Sequence, residues 1–329
     1  MSKSIYDRRR FLRRAAAGTA LLSTAGLAAT GLPGAALAAP APRSAGRRSE
    51  AGPAVASFRW LGTAGWRIDI GDRTVLVDPY LSRFDTGLFA GGFNPATEPV
   101  VDVDAIASQV DRAEAVLVTH THWDHFIDVP HIARTTGARV FGTLTAYHLG
   151  LAYGVPAGQL STVKGGEVLD FGAYTVEVIS SLHSRNAAHS VLFPGVRVSE
   201  PALPATVADL PEGDTLAFQV RVMNGPAVFF MGASDFVERN LAGLSPDVAM
   251  IALQSSTATH DYVPRLMAAL DYPKIVVPVH WDNFEVPLQN PPRVEPTDRQ
   301  RLDALIREVR RVSSRTRVII PEYGAPYRF

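Results

Sequence analysis

The chain has 329 residues, of which 47% are hydrophobic, and it carries 32 acidic and 32 basic side chains. This length suits one large folded domain or two small ones. The absence of cysteine excludes disulfides, a cysteine nucleophile, thiolate metal ligands and a lipid anchor attached through cysteine. Residues 1–38 hold six basic and one acidic side chain, so the remainder carries 26 basic and 31 acidic ones. This mildly acidic remainder argues against nucleic acid as a partner.

Residues 1–39 have the features of an export signal. The segment Asp7–Arg13 resembles the twin-arginine export motif, except that Asp7 stands where the motif has Ser or Thr. A weakly apolar stretch, Ala15–Leu37, follows, and its glycines make an uncleaved membrane anchor the weaker alternative. A small-X-small site predicts cleavage near Ala38-Ala39. We therefore predict export by the twin-arginine translocation machinery to the extracellular, periplasmic or cell-wall space.

Residues 40–57 are rich in Ala, Pro, Arg, Ser and Gly and are predicted to form a flexible linker. The folded domain is predicted over residues 58–329. It begins with three short strands, Phe58–Gly62, Trp66–Gly71 and Arg73–Asp78, which are separated by turns containing glycine. Residues 79–99 follow as a loop long enough to be either functional or disordered. A short helix, Asp102–Val110, then leads to the next strand.

The most informative stretch is an apolar strand, Val116–Thr119, that runs directly into His-Thr-His-Trp-Asp-His at residues 120–125. The strand is unalternating and rich in valine, which is typical of burial on both faces. In an extended segment the side chains of His120 and His122 project to the same side. Asp124 and His125 follow, so the segment can serve two adjacent metal positions. A bound cation requires neutral imidazole and ionised carboxylate, which explains this crowding better than packing does.

Residues 120–125 match the His-X-His-X-Asp-His motif of the metallo-β-lactamase-fold hydrolases, and the resemblance extends over about residues 58–329. It implies an α+β fold, a four-layer αββα sandwich of two similar halves with the metals at one edge. It also implies three further ligands in chain order. In this family an aspartate at the position of Asp78 supports the metal loop, although a role as a turn former remains open for Asp78.

Helices are predicted over Ile127–Arg134 and Leu144–Tyr153, with a strand, Ala138–Phe141, between them. An alternating strand, Tyr174–Ser180, then delivers His183, which fits the third ligand of the first metal. His189 lies close by and is the competing candidate. Alternatively, it faces substrate together with Arg185 and Asn186.

Two strands, Thr215–Val222 and Pro226–Met231, are joined by a hairpin-like turn. The second strand runs into Gly-Ala-Ser-Asp, where the family places its bridging carboxylate, and this assigns Asp235. The same residue could instead cap a helix over Phe236–Leu241. A buried strand, Lys274–Val279, delivers His280 as the final ligand. The remaining predicted elements are a strand at Asp247–Leu253, a helix at Leu302–Val309 and a strand at Val318–Ile320.

The predicted ligand set contains seven residues. The first metal is assigned His120, His122 and His183, the second Asp124, His125 and His280, with Asp235 bridging and with catalytic roles for Asp124 and Asp235. Supporting or substrate-facing candidates are Asp78, Trp123, Arg185, Asn186, His189, His260 and Asn283.

The resemblance implies two divalent metal ions, and ligands made only of nitrogen and oxygen favour Zn²⁺, with Mn and Fe open. A hydroxide shared by the metals would attack an ester, a lactone or a phosphodiester of a small-molecule substrate. Residues 60–65 and 279–281 are similar to the broad lactonase and phosphodiesterase branch. The alternatives are a sulfur dioxygenase with one iron, a nuclease of this fold, which export and the absence of a basic patch in the sequence disfavour, and a metal-free binding protein.

Overall fold

A computed structural model describes residues 56–329. The predicted export signal and most of the predicted linker lie outside the described residues. Within them, no helix combines the length and the apolar character needed to cross a membrane.

The strands are β1 (Ala56–Gly62), β2 (Gly65–Ile70), β3 (Arg73–Val77), β4 (Ala115–Leu117), β5 (Arg139–Gly142), β6 (Leu160–Thr162), β7 (Val168–Asp170), β8 (Tyr174–Ser181), β9 (Thr215–Val222), β10 (Ala227–Met231), β11 (Val248–Ala252), β12 (Ile275–Val279), β13 (Arg317–Val318) and β14 (Pro326–Tyr327). The α-helices are α1 (Val103–Gln109), α2 (Trp123–Phe126), α3 (Val129–Thr136), α4 (Leu144–Ala152), α5 (Tyr262–Ala269) and α6 (Pro296–Val312).

The strands form two seven-stranded sheets with matching organisation. The first sheet has the order β14-β1-β2-β3-β4-β5-β6, and the second has the order β13-β12-β11-β10-β9-β8-β7. In the first sheet β1, β2 and β3 pair antiparallel and β3 to β6 pair parallel. In the second, β7 to β10 are antiparallel and β10 to β13 are parallel. The two halves therefore repeat one mixed arrangement, as the resemblance implies.

The side chains of β3 show how the layers are stacked. Val75 and Val77 belong to the large apolar core that also contains the strands of the second sheet, whereas Leu76 joins a separate core with residues of α3 and α4. This division follows from the alternation of side chains across a strand. Leu266 of α5 and Leu302 of α6 join the core of the second sheet. The predicted four-layer αββα sandwich is confirmed.

Several element boundaries differ from the sequence prediction. The strand β1 begins at Ala56, two residues before the predicted start of the domain. The helix predicted over Leu302–Val309 is longer, because Pro296 at its start and Asp298 in its first turn are favourable at a helix N-terminus. The helix predicted at Phe236–Leu241 is only a 3₁₀ turn, Glu238–Leu241.

Candidate metal centre

The histidine motif lies where the chain leaves the carboxyl end of β4. The backbone N–H of Thr119 donates to Oδ1 of Asp78 over 2.7 Å, which replaces the ladder bond lost at the strand end. His122 then has an extended backbone and begins α2 as its N-cap. Asp124 and His125 therefore lie in the first turn of a short helix and return toward the sheet edge. This local geometry explains how a six-residue segment delivers four ligand side chains to one place.

The structure brings six of the predicted ligands into two groups. One group is His120, His122 and His183, and the other is Asp124, His125 and His280; within each group, one ligand atom from every residue lies within 4.8 Å of the others. The imidazole centroids of His120 and His125 are 3.9 Å apart, so the two groups adjoin. All of these side chains are buried except that of His183, which is partly exposed.

Hydrogen bonds orient the histidines of the first group. Nδ1 of His183 donates to the carbonyl of Ser184 over 2.7 Å, which leaves Nε2 as a lone-pair donor. His122 makes the equivalent bond with the other nitrogen, from Nε2 to the carbonyl of Leu192 at 2.8 Å. Metal-binding histidines usually use their second nitrogen in this way, because the bond fixes the tautomer and the ring orientation. These residues therefore fit a divalent cation.

In the second group, Asp124 lies between two imidazoles. Its Oδ2 is 3.3 Å from Nε2 of His125 and 3.2 Å from Nε2 of His280. Nδ1 of His125 lies 2.9 Å from Oδ2 of Asp78, a fully buried carboxylate. Nδ1 of His280 is buried without a hydrogen-bond partner. Asp78 thus holds the ring of His125 at the nitrogen that does not face Asp124, which is the supporting role that the family resemblance implies for it.

The two groups differ in their protonation. Burial, and then the neighbouring His183, lower the pKa of His122 to about 3, and burial lowers the pKa of His183 to about 4. Burial and then His125 also lower the pKa of His120 well below its ordinary range. Burial would lower the pKa of His125 as well, but the carboxylates of Asp124 and Asp78 raise it to about 10. The imidazoles of the first group are therefore neutral near pH 7, whereas the raised pKa of His125 favours its protonated form.

The six ligands line a cavity of about 240 Å³. The apolar part of its wall comes from Leu88, Trp123, Leu192, Ala233 and Phe284, and the polar part, besides the ligands, from Ser184, Asn186, Ser190, Gln254 and Ser255. Among the described residues, no Lys or Arg lines this cavity. The site therefore combines a strongly polar floor of ligands with largely neutral walls.

The structure does not bring Asp235 to this cluster. Asp235 pairs with Leu182 in an isolated bridge, and its Oδ1 accepts the N–H of Phe236 over 2.9 Å. It belongs to neither ligand group and does not line the cavity. The residues after β10 that line the cavity are Gly232 and Ala233. The bridging role of Asp235 therefore stays a prediction, and its position outside both ligand groups gives that role no support.

The other candidates divide into two sets. Trp123 and Asn186 line the cavity, and Trp123 stacks on Phe93 with ring centroids 5.7 Å apart. Arg185 instead donates to the carbonyl of His189 and lines a neighbouring groove that shares His183 with the cavity. The residues that do not line the cavity are Arg185, His189, His260 and Asn283.

Exposure and local hydrogen bonds explain why two of these candidates, His260 and Asn283, do not line the cavity. His260 is highly exposed and contacts only the adjacent Asp261 among acidic residues. Asn283 is buried, but its side chain donates to Glu295 and accepts from the N–H of Glu285, so it holds its own loop together.

Sequence reasoning named few individual residues of the cavity wall, although it left a functional role open for the loop over residues 79–99. Leu88 comes from the long loop over residues 79–99, and Gln254 and Ser255 follow the end of β11. Residues that follow the carboxyl ends of neighbouring parallel strands meet at one edge of a sheet. The position of Gln254 just after β11 was therefore the one sequence feature that could have placed it in the cavity wall. Leu192 and Phe284 carry no chemical signature in the sequence, because apolar residues are common both in the cores and on the surfaces of folded proteins.

Comparison with known proteins identifies the family. The model of a family described as a beta-lactamase superfamily domain matches residues 57–280. A UPF0173 metal-dependent hydrolase of Myxococcus xanthus is 26% identical over 325 residues, covering 97% of this chain and 98% of the relative. A UPF0173 metal-dependent hydrolase of Cupriavidus taiwanensis is 31% identical over 262 residues, covering 75% of this chain and 82% of the relative.

Solved structures agree on the fold. Igni18, a metallo hydrolase from the archaeon Ignicoccus hospitalis, superposes with a TM-score of 0.53 at 18% identity, covering 84% of this chain and 98% of that protein. The family match spans most of the described residues and ends at His280, the last of the six ligands. The chain therefore belongs to the beta-lactamase superfamily, among the UPF0173 metal-dependent hydrolases, and is a metal-dependent hydrolase.

Proposed function

We propose that the protein is an exported hydrolase that uses two divalent cations, Zn²⁺ in preference to Mn or Fe, to cleave a small neutral ester or lactone. The observation that carries this proposal is the pair of adjoining ligand groups in one buried cavity. Three imidazoles form one group, and two imidazoles with a carboxylate form the other. Zinc binds ligand sets of both kinds.

Cations held by these two groups would lower the pKa of bound water toward ~7 and would polarise a carbonyl oxygen. The chain's own residues supply the positions at which this happens. His120, His122 and His183 hold one position, and Asp124 with its two imidazole neighbours holds the other. Trp123 and Phe284 contribute apolar wall beside these ligands, which limits the access of bulk water. Exclusion of water strengthens every electrostatic contact inside the cavity.

The walls favour a neutral substrate over a phosphodiester. A phosphodiester carries a negative charge, and proteins commonly recognise phosphate with Arg or Lys. In the described part of the chain neither residue type lines the cavity. The serines and Asn186 offer neutral hydrogen-bonding groups, and Leu88, Leu192 and Phe284 offer apolar contact. An ester or lactone with a short apolar portion fits a cavity of about 240 Å³.

Metal content of the purified mature protein is the first test. We expect close to two zinc ions per chain, falling to about one in His120→Ala and in His280→Ala, because each variant removes a ligand from a different group. A single iron that is unaffected by His280→Ala would contradict the proposal and favour the sulfur dioxygenase alternative. Folded protein that contains no metal at all would favour a binding protein.

Substrate class is tested by parallel assays of a neutral aryl ester, a neutral lactone and a bis-aryl phosphodiester. We expect hydrolysis of the ester or the lactone, at least about tenfold faster in kcat/KM than of the phosphodiester, since charge recognition contributes ~1.5–3 kcal/mol. Preference for the phosphodiester in protein with two metals would contradict the substrate class and leave the metal assignment intact.

Export rests on the sequence of residues 1–39. It is tested in the full chain by replacing Arg8 and Arg9 with Lys and fractionating the cells. We expect the unchanged chain to lie outside the cytoplasm with its first 38 residues or so removed. The double variant should remain inside at full length. Equal distribution of the two proteins would contradict twin-arginine export.

A further inference from the structure

His280 has an unusual backbone for a ligand. Its φ is +58°, in the left-handed region that residues with a side chain seldom occupy. Its N–H donates to the carbonyl of Thr63 over 2.8 Å, and Thr63 is itself left-handed, with a φ of +51°. Such conformations persist only where surrounding contacts determine them. Something outside β12 must therefore hold His280 in place.

Those contacts converge on Asp282, two residues further along. Its Oδ1 accepts the N–H of Thr63 over 3.0 Å, so that Thr63 contacts both ends of the His280 segment. Oδ2 accepts from Tyr323 at 2.7 Å and from Nη2 of Arg83 at 2.8 Å. Both Arg83 and Asp282 are buried. The result is a buried ion pair whose carboxylate is joined to the turn that carries His280.

Arg83 adds further bonds to the same segment. Nη2 also donates to the carbonyl of Asn283 over 2.7 Å, and Nε donates to the carbonyl of Val286 over 2.6 Å. The guanidinium lies so close to Gly62 that a Cβ at that position would overlap it. One arginine from the long loop at residues 79–99 therefore contacts three successive parts of the chain after His280.

The same loop and the same segment meet again at Glu285. Its Oε1 accepts the N–H of Thr86 over 2.9 Å, and the rings of Phe89 and Phe284 lie 4.9 Å apart. Leu88 and Phe284, which both line the cavity, thus belong to elements that are bonded together. The loop over residues 79–99 and the turn after β12 form one unit beside the metal centre.

We propose that the Arg83–Asp282 pair is a positioning device that holds His280 and sets the cation affinity of the Asp124–His125–His280 position. A buried ion pair contributes little net stability, because desolvation offsets the attraction, so stability alone does not account for it. Its contacts surround the turn that follows His280, which has a positive φ, and reach His280 itself through Thr63. The other ligand group has no contact with Arg83 or Asp282 among the hydrogen bonds of the described residues. The metal-affinity part of this inference rests on the proposed function.

The test uses two variants of the full protein. Arg83→Met removes the guanidinium, and Arg83→Met/Asp282→Asn removes both charges while the amide oxygen keeps the acceptor for the N–H of Thr63. Arg73→Met is the matched control, because it breaks a partly buried ion pair with Glu114 at the opposite end of β3. Zn²⁺ affinity is measured by competition with a chelator, and amide hydrogen exchange is followed at residues 280–286 in metal-free protein. The His280→Ala variant shows which of two binding steps depends on His280.

We expect the Zn²⁺ affinity of the step that depends on His280 to fall at least about tenfold in both Arg83 variants, because removing a group that supports a metal ligand usually costs this much. The affinity of the other step should stay unchanged. Protection at residues 280–286 should fall in these variants and persist in Arg73→Met. Folded variants with unchanged affinity and exchange overturn the proposal, and so does equal weakening of both steps. If the unchanged protein binds only one cation, the binuclear function fails, and the exchange comparison still decides the role of Arg83.

Discussion

The carboxylate of Asp78 lies 2.9 Å from Nδ1 of His125, although the two residues are 47 positions apart in the chain. The same carboxylate accepts the N–H of Thr119, at the start of the histidine motif, over 2.7 Å. Asp78 therefore joins the ends of β3 and β4 and fixes the motif that follows. Its φ of +40° turns the chain so that the side chain points to this edge of the sheet.

Replacing Asp78 with Asn should weaken cation binding at the second position by about 10–100-fold, the usual cost of removing a group that supports a metal ligand. The amide keeps the shape of the side chain but loses the charge that orients His125. Chelator competition with Zn²⁺ measures the change. Asp69→Asn is the control, since Asp69 makes its ion pairs with Arg59 and Arg67 away from the cavity. Unchanged affinity in Asp78→Asn would contradict the supporting role.

The stability of the metal-free protein should peak close to pH 6.5, the ordinary pKa of histidine. His125 has a folded pKa of about 10, so its contribution is fully present below 6.5 and is lost as pH rises through about 10. His122 and His183 have folded pKa values of about 3 and about 4. As pH falls below 6.5, these two histidines take up protons in the unfolded chain before they do so in the folded protein. The folded protein therefore also loses stability on the acid side.

Thermal melting of protein freed of metal with a chelator, measured from pH 4 to pH 10, tests the predicted decline in stability on each side of pH 6.5. The His125→Gln variant should lose the decline on the alkaline side and keep the decline on the acid side. A melting temperature that rises between pH 7 and pH 10 in the unchanged protein would contradict the assignment of a raised pKa to His125.

Introducing a carboxylate at Ala233 should strengthen binding of the second cation at least about tenfold, which corresponds to ~1.4 kcal/mol. Ala233 lines the cavity after β10, and Asp124 is the one carboxylate among the six ligands. A carboxylate beside two cations attracts both of them and so offsets their mutual repulsion. Zinc titration of Ala233→Asp measures this gain, with Ala233→Asn as the control of equal size. Equal affinities in the two variants would show that position 233 does not face the cations.

A positive charge in the cavity wall should change the substrate preference. Leu192 is among the residues that line the cavity, and its backbone carbonyl, which a substitution keeps, accepts the hydrogen bond from His122. Leu192→Arg should shift the ratio of kcat/KM values toward the phosphodiester by about tenfold, since a charge-assisted hydrogen bond contributes ~1.5–3 kcal/mol. Leu203→Arg is the matched control, because Leu203 is exposed and does not line the cavity. The same ratio in both variants would contradict the proposed role of the neutral wall.

The sequence prediction of the fold and of the hydrolase class is confirmed, and the six residues it placed at strand ends or in the motif do meet. Asp235 shows the limit of such reasoning. Its prediction depended on the path of the chain after β10: the strand ends at Met231 as predicted, yet Ala233 lines the cavity and Asp235 does not. His260 shows a second limit, because a histidine after a strand looks the same in sequence whether it is buried or exposed.

The sequence by itself determined the ligand chemistry. The order His-X-His-X-Asp-His after a buried strand, with histidines after two later strands, specifies nitrogen and oxygen donors whatever the details of packing. Only the tertiary structure decided which atoms face one another. The contact between Asp78 and His125, and that between Arg83 and Asp282, join segments far apart in the chain, and no local pattern encodes such pairs. They form because buried charged groups must find partners once the two sheets have closed over the core.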